Sequence, residues 1–141
     1  GLTFSIFLRV QKVHIFRNVP LRVLLSREEK AKRQEWFLGN FRFFDAPAVA
    51  FFMLPDGFGL REACDLGMFT QTVMLGLTAQ GLGSCPQTAL GFMAKQIREV
   101  IDIPEHHKLM FGLSFGYPVD TPINDVVTDR TDLSSAVTFH S

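Results

Sequence analysis

The stretch Gly81-Leu82-Gly83-Ser84-Cys85-Pro86-Gln87 is the turn around which the other segments of this sequence are arranged. Residues 60–80 precede the turn and have a helical composition, and past Leu66 they are apolar around most of the helix circumference. Such a pattern is typical of a central, buried helix. Gly81 should end this helix, because glycine adopts the left-handed conformation at a helix end with little strain.

The segment that follows the turn, residues 92–101, has the pattern of an amphipathic surface helix. Apolar side chains recur there at helical spacing, and charged side chains lie between them. The apolar set consists of Met93, Ile97, Val100 and Ile101.

Residues 108–117 alternate between large and small side chains, which predicts a strand with two unlike faces. The small face should let another backbone approach closely. The large face comprises Leu109, Phe111, Leu113 and Phe115, and the small face comprises Gly112, Ser114 and Gly116.

Two elements are predicted before the long helix. Residues 46–54 form a continuous apolar run that ends at the turn Pro55-Asp56-Gly57, which indicates a strand covered on both faces. Earlier, Ser26-Arg27-Glu28-Glu29 is a capping box and predicts the start of a helix. We expect this helix to end at Gly39, with the glycine in the left-handed conformation.

Residues 1–25 differ from the rest, because they carry several basic residues and no acidic one. Residues 2–10 alternate with the period of a strand. A basic binding arm and an ordinary edge strand both fit, and we favour the edge strand because interspersed charges protect sheet edges. We therefore treat residues 1–25 as an atypical basic segment and residues 26–141 as one domain.

The 141 residues have the size of one domain, and the predicted elements make it a mixed α+β fold. A hydrophobic content of 47%, with fifteen Phe residues, is more than a small monomer hides easily, so we expect a partner subunit. The formal net charge is zero, so we expect no nucleic-acid partner. No run approaches the roughly 18 apolar residues of a membrane span, so we expect no membrane contact.

The side chains offer no conventional catalytic set and no metal site. Cys64 and Cys85 match no disulfide framework, so we expect reduced thiols in a cytoplasmic protein. Cys85 has no base near it in sequence and fits a small buried thiol better than a nucleophile. The neighbours His106 and His107 lack the spacing of a helical metal pair, and we expect them in an exposed loop.

The order of the motifs resembles the FMN-dependent nitroreductase family over residues 26–141. The turn resembles its Gly-Leu-Gly-x-Cys-Pro turn, and Gly112 to Pro118 resembles its Gly-x-x-x-Gly-Tyr-Pro strand. Asn40-Phe41-Arg42-Phe43-Phe44-Asp45-Ala46-Pro47 resembles its Asn-Phe-x-Phe-Phe-x-Ala-Pro stretch, and Asp125-Val126-Val127-Thr128-Asp129-Arg130 its closing basic motif. The resemblance implies an antiparallel-rich sheet with flanking helices and a homodimer around the helix at residues 60–80.

The resemblance also implies an FMN site at the subunit interface. Asn40 and Arg42 would donate to the carbonyl or N1 edge of the ring, and Arg130 would bind the phosphate. The remaining contacts, to the ring face and N5, would come from Cys85, Pro86, Gln87 and Thr88. From their positions alone, Asn40 is otherwise a helix-end cap and Arg130 a solvated tail charge.

The implied activity is that of an NAD(P)H-dependent oxidoreductase. A hydride would pass from nicotinamide through flavin N5 to a small electron-poor acceptor of the nitroaromatic or quinone type. No side-chain acid or base is required, and no metal is implied.

Two departures from the family leave other interpretations open. The family's N-terminal Arg-Arg-Ser-x-Arg motif is not found in residues 1–25, and Val127 stands where a basic residue is common. We expect that either the N-terminus is truncated or many of the phosphate contacts have been lost. The alternative to the oxidoreductase is a truncated or cofactor-less relative that serves as a dimerisation or binding module without activity. A different flavin reaction on the same scaffold, such as dehalogenation or dehydrogenation, is a further alternative.

Overall fold

The computed structural model describes residues 5–10, 29–120, 124, 127 and 129–140. The elements run in chain order as β1 (Ser5–Val10), α1 (Lys30–Gly39), a first 3₁₀ segment (Asn40–Asp45), β2 (Ala48–Pro55), α2 (Leu60–Ala79), β3 (Gly83–Gln87), a second 3₁₀ segment (Thr88–Met93), α3 (Ala94–Arg98), β4 (His107–Gly116) and α4 (Leu133–Ala136).

The described strands form one antiparallel sheet in the order β1-β2-β4-β3. β2 is central and buried from Ala48 to Leu54, as expected of an apolar run without polar alternation. Its closing turn has Gly57 at φ +88°, where a side chain would be strained. β1 lies at one edge of the sheet that the described strands form, which agrees with the edge-strand interpretation for Ser5–Val10.

A β-bulge in β4 changes which of its side chains share a face. Phe52 pairs with Phe111 but Met53 pairs with Leu109, so Met110 is an extra residue. Leu109 consequently packs on the opposite side of the sheet from Leu113. The prediction that Leu109 shares a face with Phe111, Leu113 and Phe115 was therefore wrong, because the bulge reverses the alternation.

The small residues of β4 do permit close packing, but side chains fill the space. A Cβ added to Gly116 would lie 2.6 Å from Pro47 Cδ, and one added to Gly112 would overlap Leu90 Cδ1. The close approach at this face is thus confirmed, whereas the expected partner, another backbone, is replaced at these two positions by Pro47 and Leu90.

α1 ends at Gly39 as predicted, but not for the predicted reason. Gly39 has φ −55° and ψ −30°, which is ordinary right-handed geometry. Its lack of a side chain is needed because an added Cβ would lie 2.7 Å from the Phe44 ring. The capping residue Ser26 lies outside the described residues.

α2 is mostly exposed within a single chain, so its predicted burial in a dimer core stays a prediction. Only Leu66 and Thr70 are buried along it, while Leu60 is 88%, Met68 63% and Leu75 61% exposed. Apolar residues around a helix predict burial without identifying the covering surface, and this chain covers one side only. No helix in the described part of the chain is long and apolar enough to cross a bilayer.

The helix predicted at residues 92–101 is shorter than expected. Thr88–Met93 is a 3₁₀ segment, α3 covers only Ala94–Arg98, and Val100 is 65% exposed. Ile97 and Ile101 do pack against the core on the Val49 face of the sheet. The apolar spacing therefore located two core contacts correctly but overestimated the length of regular helix.

Candidate cofactor site

The Gly81–Gln87 stretch closes α2 and then becomes the edge strand β3. Gly81 has φ +75°, which confirms its predicted role as the helix stop, and the Leu82 amide donates to the Leu77 carbonyl at 3.0 Å. β3 pairs only with β4 among the described strands. The turn therefore presents one backbone edge that no described strand covers.

The side chains along this edge are divided between surface and interior. Pro86 and Thr88 are exposed, Cys85 is half-buried and Gln87 is 2% exposed. The exposed pair flanks the buried glutamine, so the edge is fixed to the core at Gln87 and open on either side of it.

Gln87 connects the turn to the segment that carries Asn40. Its Nε2 donates to the Asn40 backbone oxygen at 3.1 Å and lies 3.4 Å from Asn40 Oδ1. Its Oε1 accepts a hydrogen bond from the Ser114 hydroxyl. Two of the predicted site residues, Asn40 and Gln87, are thus brought together although 47 positions separate them.

Asn40 is buried and caps the end of α1. Its Nδ2 donates to the Phe37 carbonyl at 2.9 Å, and the same carbonyl also accepts from the Asn40 backbone amide at the helix end. The helix-end cap considered from the sequence is therefore present. A side-chain amide carries two N–H groups, and this bond uses one of them.

Arg42 is exposed on the same 3₁₀ segment, beside three residues with positive φ. Phe43, Phe44 and Asp45 have φ values of 56°, 49° and 60°. Residues with side chains adopt this region only when surrounding contacts hold them there. The Phe44 ring against Gly39 and the 5.5 Å ring contact between Trp36 and Phe44 supply such contacts.

Burial raises the pKa of the Cys85 thiol, which disfavours the thiolate that a nucleophile at neutral pH requires. Cys85 and Cys64 are both free thiols. His106 is exposed, whereas His107 is half-buried at the start of β4. Within the described residues, no group of three or more His, Cys, Asp or Glu side chains is placed to hold a metal ion.

Arg130 lies on the C-terminal tail and is exposed. Its guanidinium donates to the carbonyl of the neighbouring Asp129 at 3.4 Å. Its predicted phosphate role stays a prediction, as do the ring contacts of the other site residues.

The sequence pattern did not identify Ser114 as a member of the hydrogen-bonded group with Gln87 and Asn40. It is fully buried, and the sequence placed it only among small residues that allow close packing. The available signal was a single hydroxyl between Gly112 and Gly116 on the inward face of a buried strand, where a polar group requires a partner.

An apolar cavity of about 170 Å³ lies apart from these residues, on the Val49 face of the sheet. None of the predicted cofactor-binding residues lines it. Its wall is made by Phe41, Phe43, Phe51, Leu90, Met93, Gln96, Ile97, Val100 and Ile101.

The model of the nitroreductase family matches residues 11–117. Over 116 residues the chain is 38% identical to nitroreductase NfnB of Mycolicibacterium smegmatis, covering 82% of this chain and 49% of that protein. It is 29% identical over 116 residues to a 4-nitrobenzoate reductase of Nocardioides sp., covering 82% and 47% of the two chains. The chain thus spans about half the length of these relatives.

Solved structures agree on the fold. The FMN-dependent nitroreductase NfnB from Mycobacterium smegmatis in complex with NADPH superposes with a TM-score of 0.83 at 26% identity, covering 98% of this chain and 79% of that one. An FMN and NADPH-dependent NfnB from a Sphigopyxis strain gives the same TM-score at 21% identity, covering 98% and 80%.

Proposed function

The chain belongs to the nitroreductase family, and we propose that it forms part of an FMN-dependent NAD(P)H oxidoreductase. The observation that carries the proposal is the family match over residues 11–117, which includes both the Gly81–Gln87 turn and the segment around Asn40. The similar proteins include an FMN-dependent nitroreductase in complex with NADPH and a 4-nitrobenzoate reductase, and both support the proposed cofactor and reaction class.

The turn fits one edge of a flavin ring. A flavin requires a mostly apolar slot with hydrogen-bond donors at its polar edge. β3 has a backbone edge that no described strand covers, and Pro86 and Thr88 are exposed beside it. In this proposal Cys85, Pro86 and Thr88 contact the ring, while Gln87 contributes through its backbone because both ends of its amide bind within the core.

Arg42, Asn40 and Arg130 complete the proposed site. The exposed guanidinium of Arg42 would favour negative charge on the reduced ring, and Asn40 retains one N–H beyond its bond to Phe37. Arg130 would bind the phosphate through a bidentate, charge-assisted contact. We do not assign a catalytic acid or base, consistent with the raised pKa of the Cys85 thiol.

Bound FMN would supply hydride transfer between NAD(P)H and an electron-poor acceptor, which we propose to be a nitroaromatic compound or a quinone. The chain's own part is to bind and orient the ring and to leave one ring face open. Such a role requires shape and hydrogen bonding from the protein rather than proton transfer by a side chain.

A homodimer completes the proposal. The exposed apolar side chains of Leu60, Met68 and Leu75 on α2 form a surface that water solvates poorly, and a second copy of α2 would cover it. The free thiols of Cys64 and Cys85 support the cytoplasmic location that we propose from the sequence.

The test is the visible spectrum of purified protein before and after FMN is added, followed by anaerobic addition of NADPH or NADH. We expect flavin absorbance that bleaches when the nucleotide is added. Bound flavin that stays oxidised would contradict the oxidoreductase proposal. A colourless protein whose melting temperature does not rise with FMN would instead support the cofactor-less module.

A further inference from the structure

A chain of hydrogen bonds crosses the core behind the proposed flavin edge. Ser114 on β4 donates to Gln87 on β3, and Gln87 donates to Asn40 at the start of the first 3₁₀ segment. Asn40 in turn donates to the Phe37 carbonyl in α1. Three side chains thus connect two strands, a 3₁₀ segment and a helix.

The partners fix the direction of every bond. The Asn40 backbone oxygen can only accept, so the amide nitrogen of Gln87 must face it. The Gln87 oxygen then faces Ser114, and the hydroxyl of Ser114 must donate. A rotated Gln87 amide would place two acceptors against each other at Asn40, so the Asn40 backbone oxygen sets the orientation of the amide. The Ser114 hydroxyl then supplies the donor that the buried Gln87 oxygen requires in that orientation.

Because Ser114 and Gln87 are buried, losing the hydrogen bond between them has a large energetic cost. Ser114 is 0% and Gln87 2% exposed, so water cannot replace a lost partner. A buried polar group that loses its partner destabilises the fold more than the bond itself stabilised it. Loss of the Ser114 hydroxyl would therefore leave the Gln87 oxygen buried without a donor and weaken the position of the whole side chain.

The connected segments are those that carry the proposed ring contacts. Pro86 and Thr88 flank Gln87 on one side of the link, and Arg42 lies two residues beyond Asn40 on the other. Arg42 is followed directly by the three residues with positive φ, which depend on surrounding contacts to stay in place. The Gln87–Asn40 bond is such a contact.

We propose that Ser114 is a positioning residue of the flavin site: through Gln87 it sets where Arg42 lies relative to the backbone of β3. The proposal rests on the proposed function, since it assumes that FMN binds between these segments. Ser114 itself touches no ring atom in this account. It acts by keeping a fixed distance between the ring contacts beside Gln87 (Pro86 and Thr88) and the ring contact beyond Asn40 (Arg42).

The test compares Ser114→Ala with the double variant Ser114→Ala/Gln87→Met. Ser114→Ala leaves the Gln87 oxygen buried without a donor, so both the melting temperature of the apo-protein and FMN affinity should fall. The double variant removes both the hydroxyl and the amide, so its stability should recover in part, because the Gln87 oxygen is gone while the Asn40 carbonyl still lacks its donor from residue 87. Its FMN affinity should remain about tenfold or more below wild type, because the link between β3 and Asn40 is still absent.

The two-electron midpoint potential of the bound flavin separates positioning from folding. Arg42 favours negative charge on the reduced ring, so displacing it should weaken binding of reduced FMN more than of oxidised FMN. A tenfold difference between these two losses lowers the potential by about 30 mV. A double variant in which stability, affinity and potential all return to wild-type values would overturn the proposal.

Thr70→Val is the matched control, because Thr70 is also a buried hydroxyl but donates within its own helix, to the Leu66 carbonyl at 2.8 Å. It should leave affinity and potential unchanged; changes as large as those in the double variant would contradict a specific role for Ser114. A wild-type protein that binds no FMN would reject the proposed function together with this inference. Binding by wild type that both Ser114 variants match would reject the inference alone.

Discussion

Gly112 shows how one missing side chain shapes the core. An added Cβ would overlap Leu90 Cδ1 and lie 3.5 Å from Val49 Cγ2. We expect Gly112→Ala to lower the free energy of unfolding by about 1–3 kcal/mol, the usual cost of overpacking. Urea denaturation of the apo-protein measures this change.

The origin of that loss is tested by removing the obstructing atoms. Leu90→Ala alone should cost about 2–5 kcal/mol because it leaves a cavity. In the double variant the new methyl of residue 112 occupies part of that cavity. The double variant should therefore lose less unfolding free energy than the sum of the losses in the two single variants. Additive losses would show that the two positions are not in contact.

Asp45 tests the strain in the first 3₁₀ segment. It is exposed and has φ +60°, so its side chain contributes little packing while its backbone is in the left-handed region. We expect Asp45→Val to destabilise the fold by about 1–2 kcal/mol, since a β-branched side chain disfavours this conformation.

Asp45→Gly is the control, because it removes the same charge without requiring a side chain at positive φ. It should unfold at a urea concentration close to that of wild type. Equal destabilisation by both substitutions would assign the effect to the lost carboxylate rather than to backbone strain.

At the scale of single residues, the sequence identified important residues more reliably than it identified the groups that they contact. Asn40 and Gln87 were both selected, but the bond between them joins positions 47 apart and no local pattern encodes it. Gly39 was placed correctly at a helix end, yet the reason lies in the Phe44 ring. Both failures have one cause, which is that tertiary contacts determine what a buried side chain touches.

The start of α2 carries a carboxylate whose charge stabilises the helix. Glu62 Oε2 accepts from the Gly59 amide at 2.8 Å, and this hydrogen bond lowers the pKa of Glu62 below its usual value. Since the folded-state pKa is the lower one, the stabilisation is fully present above the unfolded-state pKa. It is lost as the pH falls through the folded-state pKa.

Glu62→Gln isolates this effect, because glutamine keeps an acceptor oxygen but does not titrate. We expect wild type to be the more stable protein at pH 6. The difference in unfolding free energy should shrink as the pH falls below about 4.3, the ordinary value for glutamate. Chemical denaturation at several pH values measures it, and a constant difference down to pH 3 would contradict the assigned cap.

The sequence predicted elements best where one pattern persists. The apolar run at residues 46–54 became β2, and Gly81 stopped α2 at positive φ. The pattern failed at β4, where Met110 bulges and Leu109 changes face. A bulge leaves the composition of a strand unchanged, so alternation alone does not reveal it.

The sequence predicted the fold of the whole molecule, but it did not predict which surface covers α2. Motif order gave the α+β architecture, which the TM-score of 0.83 confirms. A single chain does not achieve the predicted burial of α2, since Leu60, Met68 and Leu75 are largely exposed, and burial of this helix in a dimer stays a prediction. Sequence hydrophobicity reports that a surface should be covered, and it does not distinguish the same chain from a second copy.

The exposed face of α2 therefore provides the test of assembly. Met68 and Leu75 are seven residues apart, so they lie on one face of the helix. In a dimer that covers this face, Met68→Glu/Leu75→Glu would bury unpaired charges of one sign in both subunits. We expect the dimer dissociation constant, measured by sedimentation equilibrium, to rise at least about a hundredfold.

Val100→Glu is a suitable control, because Val100 is 65% exposed, close to the 63% of Met68, but lies outside α2. It should sediment as wild type does.

Circular dichroism should show that the α2 variant retains its helices, since both substituted side chains already face solvent within one chain. An α2 variant that remains dimeric, or a wild type that is monomeric at high concentration, would show that α2 is not the subunit interface. If FMN binds between subunits, the dissociated variant should also lose FMN affinity while keeping its fold.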